Sequence, residues 1–186
     1  VDRVQGNIVY DNGLVRIDDA QLSIGAGNAK VKGQYVVDTG DFDVVANVHA
    51  LSLDTFTENL TMPVTGIVDG EIHALGKNNQ VTDLVGAVQG HQIGVRGVVI
   101  DSVKADLTHS DNLTNITMVG KMGTGSFSGY GSIQNGQVDA TVSGNAMPLT
   151  SLSPIIGEDV AGTVSTSINV KGALDNPNMT GTVWGQ

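Results

Sequence analysis

In the segment Val160–Gly185, VAGTVSTSINVKGALDNPNMTGTVWG, the run Thr163–Lys171 alternates with a period of two. Val164, Thr166, Ile168 and Val170 fall on one side, and Thr163, Ser165, Ser167, Asn169 and Lys171 on the other. A period of two with one apolar and one polar side predicts a β-strand lying over something apolar. Gly172 ends the run, Asp175-Asn176-Pro177 turns the chain, and Met179 to Trp184 begins the next strand.

The same alternation runs through the rest of the chain. Gln5–Tyr10 and Leu14–Ile17 flank Asp11-Asn12-Gly13, a hairpin signal. Ala20, Leu22, Ile24 and Ala26 alternate with polar or small residues, as do Ala29, Val31, Gly33, Tyr35 and Val37 before the turn Asp38–Asp41. Phe42, Val44, Ala46, Val48 and Ala50 form the next apolar side. Strands resume from Val64 to Leu107, broken at Lys77-Asn78-Asn79 and at loose glycine-containing bends; His109–Asn112 is a further turn cluster. Ile116, Met118, Gly120 and Met122 follow, then Phe127, Gly129, Gly131 and Ile133, and Asn135-Gly136 is the sharpest hairpin signal. Val138, Ala140, Val142, Gly144 and Ala146 complete the series. Turns roughly every 8–12 residues predict about a dozen strands or slightly more.

The period changes twice. Leu51, Leu53, Phe56 and Leu60 recur at nearly helical spacing, and so do Leu149, Leu152 and Ile156, with Pro148 before them and Gly157 after. Each set predicts a short helical turn whose apolar side lies against an end or edge of the sheet. These sets also belong to a longer repeat of about 96 residues: Asp43 aligns with Asp139, Ala50 with Ala146, Val64 with Val160, Gly66 with Gly162 and Ile72 with Ile168. After Gly76 one residue drops out of the second copy, and Gly86, Val88 and Gly90 match Gly181, Val183 and Gly185. The reading is one elongated β-domain, residues 1–186, with repeat one at about 1–90 and repeat two at about 91–186. Because the pattern starts abruptly at Val1, the chain is read as an excised piece of a longer protein.

Composition adds one important constraint. Aromatic residues are only 4% of the chain and glycine occurs 25 times. A sandwich fills its centre with large side chains from two sheets. Here the apolar sides are mostly Val, Ile and Ala, shallow enough that something else is expected to complete them. A net charge of −10 and the lack of a basic stripe argue against nucleic acid and anionic surfaces. The chain has no cysteine, which excludes disulfides and thiol catalysis. It shows no signal peptide and no apolar run approaching about 18 residues.

No catalytic or metal-binding constellation emerges, and no cofactor is implied. His49, His73, His91 and His109 lack partners at metal-ligand spacing and read as strand or turn residues. Asp38–Asp43 lacks the later ligands of a calcium loop. Gly123–Ser126 is not followed by a helix that would make it a phosphate loop. Four Asn-x-Thr sequons, at Asn59, Asn112, Asn115 and Asn178, match what chance gives in a chain rich in Asn and Thr. The chain is therefore not expected to be an enzyme. The remaining candidate is the apolar side itself, either ordinary core or a groove of small side chains and adaptable Met that holds an apolar ligand.

Leu149-x-x-Leu152, Gly162, Val170-Lys171-Gly172, Asn176-Pro177 and Gly181 resemble the C-terminal repeat region of TamB-type proteins, within the AsmA-like group of bacterial envelope proteins. The first copy keeps Leu53-x-x-Phe56, Gly66, Leu75-Gly76 and Gly86, but has Val81-Thr82 where the second has Asn176-Pro177. The resemblance implies an all-β fold: an elongated, strongly curved, taco-like sheet with an open apolar groove. It also implies a periplasmic location, with an inner-membrane anchor outside this chain. The implied function is a segment of a bridge carrying phospholipid between inner and outer membranes. The alternative is a chaperone-like factor for outer-membrane protein assembly, with a barrel partner of the TamA/BamA type engaged through regions outside this chain. A passive β-solenoid stalk would need a coil of about 20–25 residues, which the long repeat disfavours.

The lipid-facing residues expected on this reading are Val44, Ala46, Val48, Val64, Val68, Ile72, Phe127, Val138, Ala140, Val142, Val164, Ile168 and Val170. Phospholipid acyl chains are the expected ligand.

Overall fold

The computed structural model describes residues 2–57, 63–158 and 160–185. It contains twelve strands: β1 (Arg3–Asp11), β2 (Leu14–Ile24), β3 (Gly27–Val36), β4 (Asp41–Ser52), β5 (Val64–Lys77), β6 (Gln80–Val95), β7 (Val98–Ser110), β8 (Leu113–Met122), β9 (Gly125–Gln134), β10 (Gln137–Pro148), β11 (Thr163–Ala173) and β12 (Asn178–Gly185). All join one antiparallel sheet in simple sequence order, β1 to β12, which does not close on itself. The fold is all-β, as the alternation predicts.

The turns explain the meander. Asn12 and Gly13 have φ of 47° and 80°, and Asn135 and Gly136 have 49° and 72°. Positive φ at both central residues makes two-residue turns whose twist matches that of the flanking strands. Asn78 and Asn79 do the same without glycine, at 52° and 62°. Two connections are helical: α1 (Asp54–Thr57) after β4, and a 3-10 turn (Leu149–Leu152) running into α2 (Ser153–Ile156) after β10. Gly157 caps α2 with φ 80°, and its N–H donates to the Ser153 carbonyl. The second helical segment lies across the end of the sheet against β7. A Cβ placed on Gly97, in the β6–β7 turn, would come within 3.0 Å of Pro154.

Several local expectations change. Leu51 lies in β4 rather than in the helical turn, and His109 and Ser110 lie in β7 rather than in a turn. Gly172 sits inside β11, with φ 116°, and does not end it. The runs Leu14–Ile17 and Ala20–Ile24 join in one strand, β2, which bulges at Asp18 and Asp19. The proposed repeat boundary at residue 90 falls within β6. Leu60 and the sequon at Asn59 lie outside the described residues.

Matching geometry recurs at positions 96 apart. Ala50 and Ala146 have φ of 50° and 48°, and Gly66 and Gly162 have 120° and 117°. The β4–β5 register shifts between Val48 and Leu51, the β10–β11 register between Gly144 and Met147. The N–H of Leu53 donates to the Gly66 carbonyl at 2.9 Å, and that of Leu149 to the Gly162 carbonyl at 3.0 Å.

At each bulge the exposed amide is held by a side chain from the next strand. The Ala50 N–H donates to Asp69 Oδ1 at 3.1 Å, and the Ala146 N–H to Ser165 Oγ at 3.0 Å. The Ala50 amide, more than the neighbouring His49 imidazole, holds the Asp69 carboxyl below its usual value of 3.8. A depressed folded-state pKa contributes stability that is present above the unfolded value and lost as pH falls through the folded one. Wild type is therefore expected to lose stability below about pH 4 more steeply than Asp69→Asn. Urea unfolding of both proteins between pH 3 and pH 6 measures this, and parallel pH profiles would rule it out.

Candidate functional site

Register fixes which residues share a face, because Cα partners in a ladder point the same way. One row crosses the whole sheet: Gly6, Ala20, Val31, Ala46, Ile72, Gly86, Leu107, Ile116, Gly131, Ala140, Val170 and Met179. Every strand supplies an apolar residue or glycine. The next row does so too, from Val4 and Leu22 through Val48, Val88, Met118, Val142 and Ile168 to Gly181. Two flanking rows are mainly apolar, one holding Val44, Leu84 and Val138, the other Val68, Val103 and Phe127. The opposite face reads Lys30, Asn47, Glu71, Ala87, Asp106, Thr117, Tyr130, Thr141 and Asn169 along one line.

Large side chains on the apolar face lie beside glycine on the neighbouring strand. Ile72 and Leu107 flank Gly86, Met118 and Val142 flank Gly129, and Ile168 faces Gly181. At Gly131 the strands approach closely, since a Cβ there would lie 2.6 Å from the Ala140 Cβ. Directly opposed Cβ atoms ordinarily stand about 4.5–5.5 Å apart.

No second layer covers this face among the described residues, since all strands belong to one sheet. No side chain there is fully buried. Yet between β2 and β11 the large apolar residues of the four rows are at least half-buried. On the opposite face, Val85 is 61% and Val119 55% exposed. The best-buried residues, including Ile24, Ile93, Val98, Met122 and Val164, gather toward the end of the sheet that carries the helical turns. A small cavity of about 100 Å³ on the apolar face is lined by Ile116, Met118, Ile133, Val138, Ala140 and Val142. Larger hollows of about 580 Å³, partly open to solvent, lie mainly along the polar face among Ser, Asn, Thr and Lys side chains.

No family model, no curated protein and no solved structure matches this chain. The site therefore rests on its own geometry.

That geometry brings together nearly all the residues singled out in the sequence. Val44, Ala46, Val48, Val68, Ile72, Phe127, Val138, Ala140, Val142, Ile168 and Val170 lie in the four rows. Val164 follows on β11 toward the helical end, paired with Met147 and Gly185. Val64 pairs with Val95 beyond the irregularity at Gln92, outside the four rows. The sequence reading overlooked the contribution of β6–β8: Leu84, Val88, Val103, Leu107, Ile116 and Met118 occupy the same rows. Alternation marks Ile116 and Met118, but β6 carries Val85 and Ala87 on its other side, which masks its period.

His49, His73 and His91 are exposed, whereas His109 is half-buried in the flanking row beside Leu84, its Nδ1 2.8 Å from Thr114 Oγ1. His49 Nδ1 meets Asp69 Oδ1 at 2.7 Å, and His73 Nε2 meets Asp43 Oδ1 at 2.7 Å. Among the described residues no group of three His, Cys, Asp or Glu is arranged to hold a metal ion.

Proposed function

We propose that this chain is a segment of a TamB-type periplasmic bridge, and that its apolar face forms a groove carrying phospholipid acyl chains between the two membranes. The observation that carries the reading is the pair of rows in which each of twelve strands contributes an apolar residue or glycine, with no second layer above them among the described residues. Eleven inter-strand steps of about 4.8 Å extend such a row over roughly 50 Å of sheet. An acyl chain needs no directional partner, and each buried methylene contributes about 0.8 kcal/mol. A lining of repeated small side chains offers no deep trap along its length.

Curvature toward the apolar side is part of the proposal. Glycines and alanines surround Val88, which would leave it more exposed on a flat sheet, yet it is better covered than Val119 among Lys and Ser neighbours. The close approach of Gly131 to Ala140 on the same side supports the same bend. The recurrence at 96-residue spacing supports two copies of one building unit, each carrying a helical turn at the same end.

Site-specific photo-crosslinking in vesicle-containing extracts tests the groove. Lipid adducts are expected from positions 118, 142 and 168, and none from 119 or 169. Equal labelling on both faces would refute it. The strand-assembly reading draws on strand edges left unpaired among the described residues; client protein captured at position 182, without lipid at position 168, would favour it instead.

A further inference from the structure

The polar face changes character along the sheet. On β4–β7 it carries Asp43, Asp69, Glu71, Asp83, Lys104 and Asp106. On β8–β11 its charged side chains are Lys121, Asp139 and Lys171, and Asn, Ser, Thr and Gln make up most of the rest. In the middle of that stretch stands an aromatic ring, Tyr130, 66% exposed, with Thr117 and Thr141 as its cross-strand partners. Tyr130 lines one of the hollows of about 580 Å³, together with Asn115, Ser132, Asp139 and Asn169. That volume falls within the range of small-molecule sites. The four strands beneath it are each paired on both sides.

We infer that this hollow binds an uncharged oligosaccharide of β-linked pyranose rings, one ring stacked on Tyr130. Such a ring has an apolar face of C–H groups and a rim of hydroxyls. The C–H hydrogens carry partial positive charge, and an aromatic face is the negative part of its quadrupole. Each rim hydroxyl both donates and accepts a hydrogen bond. Side-chain hydroxyls and carboxamides do both as well, whereas an ammonium only donates and a carboxylate only accepts. The lining around Tyr130 is of the first kind. Its two charged members, Asp139 and Lys171, pair with each other at 3.0 Å, so the hollow offers no net charge to an ionic ligand.

The rim is held in place before any ligand arrives. The Thr141 hydroxyl donates to Asn169 Oδ1 at 2.9 Å, which leaves the Asn169 amide nitrogen to donate outward. Lys171 Nζ engages Asp139 Oδ2 and leaves Oδ1 to accept. Exposed pairs of this kind add little stability, but side chains already fixed lose less freedom when a ligand binds. The second large hollow continues the same surface along the strands, lined by Ser126, Ser128, Ser143 and Asn145. From Asp139 to Asn145 on β10 the surface runs about 20 Å, which is room for a chain of several rings. A β-1,4-linked chain is a flat ribbon and lies along a sheet face, whereas an α-1,4-linked chain coils away from it. This inference does not depend on what the apolar face carries.

Calorimetric titration of the native chain with cellohexaose, chitohexaose and maltohexaose tests the site. The two β-1,4-linked probes should bind, and maltohexaose, which is α-1,4-linked, far more weakly. Tyr130→Ala should weaken binding about tenfold, while Tyr130→Phe, which keeps the ring, should bind as wild type does. Asn169→Ala should weaken binding too, and Asn47→Ala, on the same face but at β4, should not. Circular dichroism melts of each variant separate a lost contact from a lost fold, and Asn169→Ala carries the test if Tyr130→Ala does not fold. Undiminished binding by both Tyr130→Ala and Asn169→Ala would overturn the site. Equal binding of maltohexaose would overturn the flat-ribbon geometry, and no binding of either β-linked probe up to millimolar concentration would overturn the inference as a whole.

Discussion

Ile168→Asp is expected to leave the chain folded while abolishing capture of acyl chains. Ile168 pairs with Val142 and Gly181 and is half-buried, with no second layer among the described residues pressing on it. A carboxylate there can reach water, so the fold should lose only about 1–3 kcal/mol. In the proposed groove the same carboxylate stands where apolar chains lie and draws water into the path. Asn169→Asp, one position along and on the polar face, should change neither property. Circular dichroism melts of the two variants, lipid crosslinking at position 142, and envelope integrity of cells carrying the full-length variants decide the matter. Undiminished lipid capture by Ile168→Asp would refute the groove, and outright unfolding would point to a packed core.

Two glycines of one row should respond oppositely to alanine. At Gly86 the nearest atom to a new Cβ is the Ile72 side chain at 3.4 Å, an ordinary contact. Gly86→Ala should therefore stabilise the chain by about 0.4–1 kcal/mol, through the reduced freedom of the unfolded state. At Gly131 the new Cβ meets the Ala140 Cβ at 2.6 Å, with the Asp139 carbonyl at 3.2 Å. Neither atom is the end of a flexible side chain, so β9 and β10 must separate. Gly131→Ala should cost about 1–3 kcal/mol. Urea midpoints of the two variants against wild type measure the contrast. Equal midpoints would mean that the close approach at Gly131 is not part of the folded state, and would remove one support for a sheet bent toward its apolar side.

Most of the fold was legible because backbone chemistry announces it locally. Asn12-Gly13 and Asn135-Gly136 mark their turns unmistakably, and β11 alternates without a break. Arg96-Gly97 makes an equivalent turn, with φ of 49° and 81°, but sits in a run of valines and isoleucines that hides it. Face assignment failed where both sides of a strand are small or apolar, as in β6, since period two then loses its contrast. Those faces became clear only through register, which sequence does not carry: Val88 is placed by its pairing with Gly70 and Ala105. The bulges at Ala50 and Ala146 were foreshadowed only by their place in the long repeat. The site followed this division only in part: residues on β6 and β7 were overlooked where the period is masked, while Ile116 and Met118 on the cleanly alternating β8 were read as strand but not carried into the site.

The order β1 to β12 means that each strand is held chiefly by its neighbours in sequence. Such a molecule is a one-dimensional stack: its stability is a sum of strand terms and nearest-neighbour terms, with no central hub whose loss collapses the rest. Contacts are local, so loop closure costs little and folding can start at any hairpin and spread. Its length is then a free variable. Adding or removing hairpins in pairs of strands preserves chain direction and the matching of faces, so the width of the sheet can grow or shrink without redesigning any part of it.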